Sequence, residues 1–162
     1  MKKSVRNAGF VILFGTLFFS ISSCSKDDSP ANNANNNGNI NIANLQAQIN
    51  SLPKEPLNQT ELTSLSFMKK KKKLARDVYI TLYNKWGVNI FTNISNSEQT
   101  HMDALLMLLN KYSLIDPVGS NGVGVFANTT LQTLYNQLVT QGNASVVDAY
   151  KVGATIEDLD IF

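Results

Sequence analysis

The sequence predicts an all-α fold, and three observations carry that prediction. From Leu65 to Trp86 the seam positions recur at alternating steps of three and four, the period of one helix face. Asn58 with Glu61 three residues on has the spacing of a capping box, which opens a helix by satisfying two orphan amide donors. No two alternating apolar and polar runs read as a strand pair, and there is no internal repeat. Only the stretch from Gly122 to Phe126 would tolerate an extended conformation.

The elements follow in chain order. Ile42, Leu45, Ile49 and Leu52 are spaced for a short helix, which Pro53 and Pro56 interrupt. The first main helix starts at Asn58. Its seam runs Leu65, Met68, Lys72, Ala75, Tyr79, Leu82 and Trp86, and Gly87 ends it. Residues 88–94 read as a connection. Ser95 or Ser97 is the expected cap of the next helix, whose seam is Glu98, His101, Leu105, Leu108 and Tyr112. Asp116-Pro117 and the glycines at 119, 122 and 124 mark a loop. A shorter helix over 130–141 turns Leu131, Leu134, Tyr135 and Leu138 inward, with Gly142 as its C-cap. Ser145 caps a last helix that carries Tyr150, Gly153, Glu157 and Asp160 on one side. The folded part, residues 57–162, is long enough for one small domain.

The N-terminus reads as an address. Lys2, Lys3 and Arg6 precede an apolar run from Phe10 to Phe19, and Ile21-Ser22-Ser23-Cys24 follows. A charged start, a short apolar stretch and small residues before a cleavage point describe a secretory signal, too short for a membrane span. Cys24 is the one cysteine of the chain, so it cannot form an intrachain disulfide. The segment resembles a bacterial lipobox, in which the cysteine thiol is acylated, with palmitate among the acyl groups expected, and becomes the first residue. The plainer alternative is an ordinary signal peptide, residues 1–23, followed by an incidental cysteine. Ser25-Lys26-Asp27-Asp28 resembles the export signal of Bacteroidetes lipoproteins destined for the outer face of the cell. The expected location is therefore the cell envelope, as an outer-membrane lipoprotein. The expected partner is a membrane, reached through a lipid anchor.

Residues 24–45 read as a disordered tether. The asparagine-rich tract from Asn32 to Asn41 cannot bury enough apolar area to offset its ordering entropy. Residues 46–56 are a short helix and linker. Removing residues 1–23 takes away three basic residues and moves the formal charge from +2 to −1. The apparent basicity belongs partly to targeting and gives no support to nucleic-acid binding.

The chemistry-bearing element is Ser97-Glu98-Gln99-Thr100-His101. Glu98 and His101, three apart, share a helix face one turn from each other. Ferritin-like bundles use this Glu-x-x-His element to hold metal ions between helices. The plainer alternative is a surface pair near a helix start, where a glutamate favours the dipole. No Ser/His/Asp set, nucleotide-binding loop or cysteine-based zinc site is present, and His101 is the only histidine.

A wider resemblance covers residues 57–162. The segment Lys73-Leu-Ala-Arg-Asp-Val-Tyr79 with Leu82-Tyr-Asn-Lys-Trp86-Gly is similar to the first helix of an uncharacterised ferritin-like family of prokaryotic proteins. Ser97 to Ala104 resembles its second helix. Gly124-Val-Phe126, Leu134-Tyr135 and Ala149 to Asp160 resemble later parts in the same order. The resemblance implies a ferritin-like four-helix bundle, here incomplete at the C-terminus. It implies iron or manganese as cofactor, an oxidoreductase ancestry, and Glu98, His101, Glu157 and Asp160 as candidate metal ligands.

Two departures qualify the metal expectation. Relatives carry glutamates where this chain has Lys70, Lys71 and Lys72, and Ala75 and Tyr79 place the first-helix carboxylate position of a rubrerythrin-like pattern on Lys72. An ammonium has three donors and no lone pair for a metal. It can snorkel outward, or pair with Glu98 or Glu157 in place of the metal charge. Relatives also continue with another long helix after the Asp-Ile at 160–161. An apolar groove lined by Leu65, Leu105 and Leu108, and self-association through it, are expected from that difference. Two function classes result: an envelope ferritin-like protein with impaired metal chemistry, and a metal-free helical surface module that binds a partner.

Overall fold

The computed structural model describes residues 41–161, and of 160 and 161 only the backbone. The signal segment, Cys24, the tether through residue 40 and the side chain of Asp160 lie outside the described residues. The described residues form five helices and no strand, as the seam spacing requires. They are α1 (Ile42–Ser51), α2 (Gln59–Trp86), α3 (Asn89–Lys111), α4 (Thr129–Gly142) and α5 (Val146–Ile161).

Helix α2 is the central element and packs against α3, α4 and α5. It opens on the expected capping box: the Asn58 side chain accepts from the Glu61 amide, and the Glu61 carboxylate accepts from the Asn58 amide. It closes at Gly87 in the left-handed region, φ 66°. Two residues then turn the chain into α3, so the two long helices lie antiparallel. Tyr79 meets Phe91 near the turn, and Lys69 reaches the Met102 carbonyl further along.

The start of α3 departs from the sequence expectation. Residues 89–94 are helical, and Ser95 is no cap: its hydroxyl donates back to the Thr92 carbonyl at 2.9 Å. The physical reason is Phe91, which is buried with its ring 6.3 Å from Tyr79 and 5.4 Å from Tyr150. Burying that ring holds the extra turn and a half in helix without a side-chain cap. Helix α1 also begins earlier than the tether boundary implies. Asn41 caps it by accepting from the Asn44 amide at 3.0 Å. Lys111 of α3 donates to the Ile49 and Leu52 carbonyls at the other end, so a cation closes the negative end of α1.

The core gathers Leu74, Val78, Leu82, Phe91, Leu138 and Val152 from four helices. Met68, expected on the seam, is 46 % exposed, while Lys69 and Lys73 are buried. A seam derived from spacing alone misses the loop of residues 112–128, which covers a second face of α2. Gly142 is also no left-handed cap. It is the last residue of α4, and its missing side chain lets Leu82 approach: a Cβ there would meet Leu82 Cδ2 at 2.5 Å. Of the residues expected to line a groove, Leu105 is buried and Leu65 and Leu108 are half-buried. The exposed apolar cleft lies between α2, α4 and α5, where Phe67 and Leu159 flank Leu134 and Ile156.

Candidate functional site

The five consecutive lysines of α2 span more than a full turn, so they cannot all share one solvated face. None of them is exposed. Lys69 donates to the Met102 carbonyl at 2.7 Å, and burial pulls its ammonium below the usual lysine range, against the raising effect of Asp116 and Asp103. Lys71 donates to the Leu159 carbonyl near the end of α5. Lys72 points at α3, and Lys73 points at the loop of residues 112–128.

Lys72 carries the candidate site. Its Nζ lies 3.2 Å from Glu98 Oε2. Glu98 is buried, and Lys72 keeps about a fifth of its side chain exposed. Of the pairings open to Lys72 in the sequence, the one with Glu98 is therefore formed. His101 stands on the next turn, its Nδ1 3.5 Å from the same Glu98 oxygen. Glu157, on α5, belongs to a different set of contacts. Its Oε1 accepts from the Tyr79 hydroxyl at 2.7 Å, and that hydroxyl also lies 3.2 Å from the Gly153 carbonyl. Thus Glu98 and His101 come together, Glu157 is held by Tyr79, and the Asp160 side chain lies outside the described residues.

A second buried polar cluster sits one turn along α2. Asp77 is fully buried. It accepts from Lys73, from Arg76 Nε at 2.9 Å and Nη2 at 2.7 Å, and from the Gly124 amide at 2.9 Å. Lys73 also donates to the Gly122 carbonyl at 2.7 Å and lies 4.3 Å above the Phe126 ring. Arg76 Nη1 reaches Gln99 Oε1 at 2.6 Å, which ties the cluster to α3. The cluster fixes the glycine loop to α2 through charge-assisted bonds. Sequence reasoning gave Lys73, Arg76 and Asp77 no role. A lysine and an aspartate four apart look like an exposed helix pair, and only the returning loop buries them.

The family described as "uncharacterized protein domain (DUF2202)" matches residues 61–162. The chain belongs to the DUF2202 family. It is 58% identical over 113 residues to the uncharacterized protein MJ0754 of Methanocaldococcus jannaschii, an alignment covering 70% of this chain and 61% of that protein. The crystal structure of hypothetical protein MJ0754 superposes with a TM-score of 0.67, over 68% of this chain and 63% of the other. The DUF2202 chain thus spans about three fifths of its relative's length.

The metal that the family resemblance implies would depend on the donor set of this DUF2202 domain. Among the described residues no group of three or more His, Cys, Asp or Glu side chains is placed to hold a metal ion. Glu98 and His101 offer two donors, and an ammonium already faces that carboxylate. A hard divalent cation needs several oxygen or nitrogen donors and no competing fixed charge. The described donors do not fit a two-metal centre.

Proposed function

We propose that this DUF2202 domain is a metal-independent ferritin-like helical module, anchored at the cell envelope through Cys24 and acting by binding a partner. In this reading the Lys72 ammonium supplies the positive charge that a metal ion would bring to Glu98. The observation that carries it is the 3.2 Å Lys72–Glu98 pair, at the residue to which the family resemblance assigns a first-helix ligand. The lipobox-like Ile21 to Cys24 and the asparagine-rich tract after it support the anchoring. The alternative is an impaired iron or manganese oxidoreductase, and the Glu98–His101 pair on one helix turn is what favours it.

Two experiments test the proposal. Elemental analysis of the purified protein should find iron and manganese far below one per chain; stoichiometric metal would contradict the metal-independent reading. Cell fractionation with lipid labelling tests the anchor. The wild type should carry label and partition with membranes, whereas Cys24→Ser should lose the label and be released or left uncleaved. Membrane association unchanged by Cys24→Ser, with no lipid label on the wild type, would overturn the anchoring.

A further inference from the structure

A cavity of about 360 Å³ lies under the loop of residues 117–128, away from Lys72 and Glu98. Its size falls in the range of small-molecule sites, and such sites combine apolar walls with a few polar groups. Here the walls come from Pro117, Val118, Phe126 and Leu131, and the lining includes two cations, Lys70 and Lys73, and no carboxylate. The two lysines differ in what they can offer. Lys73 is buried and already satisfied by Asp77, the Gly122 carbonyl and the Phe126 ring. Lys70 is half-buried and forms no hydrogen bond, ion pair or ring contact with the described residues. Lys73 is thus already held, and Lys70 is the lining cation left without a partner among the described residues, beside an apolar floor.

We infer that this cavity binds a small organic anion with an apolar body, an apolar monocarboxylate, with Lys70 as its counter-ion. The apolar walls take the hydrocarbon part, and the Lys70 ammonium meets the carboxylate. This inference is independent of the Lys72 reading. Lys70 lies about 200° around the helix from Lys72, so either reading can fail alone.

Calorimetric titration of the full chain with octanoate, and with 1-octanol as the uncharged counterpart, tests it. Octanoate should bind one per chain and roughly tenfold tighter than octanol, the margin of one charge-assisted contact. Lys70→Met should bring octanoate down to the affinity of octanol while leaving octanol unchanged. Lys85→Met, an exposed lysine outside the cavity, should change neither. Val118→Trp, which fills the cavity, should weaken both ligands, and thermal melts establish that each variant is folded. Absence of octanoate binding would overturn the inference. So would equal affinity for octanoate and octanol, or equal losses from Lys70→Met and Lys85→Met.

Discussion

Lys72 and Glu98 face each other across the antiparallel pair of long helices, Nζ to Oε2 at 3.2 Å. A buried carboxylate is costly unless a charge or several donors compensate it. In a ferritin-like site that compensation comes from metal. Here the Lys72 ammonium of the neighbouring helix faces the carboxylate. The same arrangement leaves His101 beside Glu98 with 39% of its side chain exposed.

The Asp77 cluster sets the stability of the α2–loop contact. Asp77→Ala leaves Lys73 and Arg76 without their carboxylate and the Gly124 amide without an acceptor. Removing one partner of a buried ion pair costs about 3–5 kcal/mol. Urea unfolding should show a loss of that order. A loss within about 0.5 kcal/mol, the range of ordinary surface substitutions, would mean the cluster is not buried in solution.

Gly124 is the point where that loop must be glycine. Its φ is +76°, and a Cβ there would meet the Tyr135 ring at 2.7–2.8 Å. Gly124→Ala should cost roughly 1–3 kcal/mol in backbone strain alone, with the displaced Tyr135 adding to it. That ring also shares a hydrogen bond with Thr81, at 2.8 Å, so the damage should spread to α2. Thermal melting checks the total. Amide exchange should rise first at the loop and at Thr81, and uniform exchange changes would contradict this route.

The helix class and the capping box at Asn58 were legible in the sequence because each depends on spacing along one helix. The sequence left Lys72 open between an outward-turned ammonium, Glu98 and Glu157, and only the packing of α2 on α3 brings Glu98 to it. The start of α3 was not legible either. Its signal is the tertiary burial of Phe91, which no local cap announces. The roles of Lys73 and Asp77 were hidden for a related reason. Spacing says which helix face a side chain occupies, and it says nothing about a loop 47 to 49 residues later returning to cover that face. Gly142 misled because a glycine at a helix end suits both a left-handed cap and a close approach, and the sequence does not distinguish them.

Helix α5 should respond to acid. The Asp148 carboxylate accepts from Lys151 at 2.9 Å and from the Ser145 hydroxyl at 2.7 Å, and these bonds hold it below the ordinary aspartate range. The native state therefore binds fewer protons than the unfolded state between the native value and the ordinary one. The contribution is present above the ordinary aspartate value and is lost as pH falls through the native one. In Asp148→Asn that part of the acid slope should vanish. An identical stability–pH profile for wild type and variant would contradict the assignment.

The most direct test of the central claim, that Lys72 replaces a metal charge at Glu98, is the melting temperature with and without Mn²⁺ for wild type and Lys72→Glu. A ligand that binds only the native state raises stability by RT ln(1 + [L]/Kd), about 2.7 kcal/mol at a hundredfold excess over Kd. Lys72→Glu should melt lower than wild type in chelator, because two carboxylates then face each other, and should recover when Mn²⁺ is added. Wild type should melt at one temperature in both conditions. A wild-type melting temperature that climbs with Mn²⁺, together with two manganese ions bound per chain, would contradict the account.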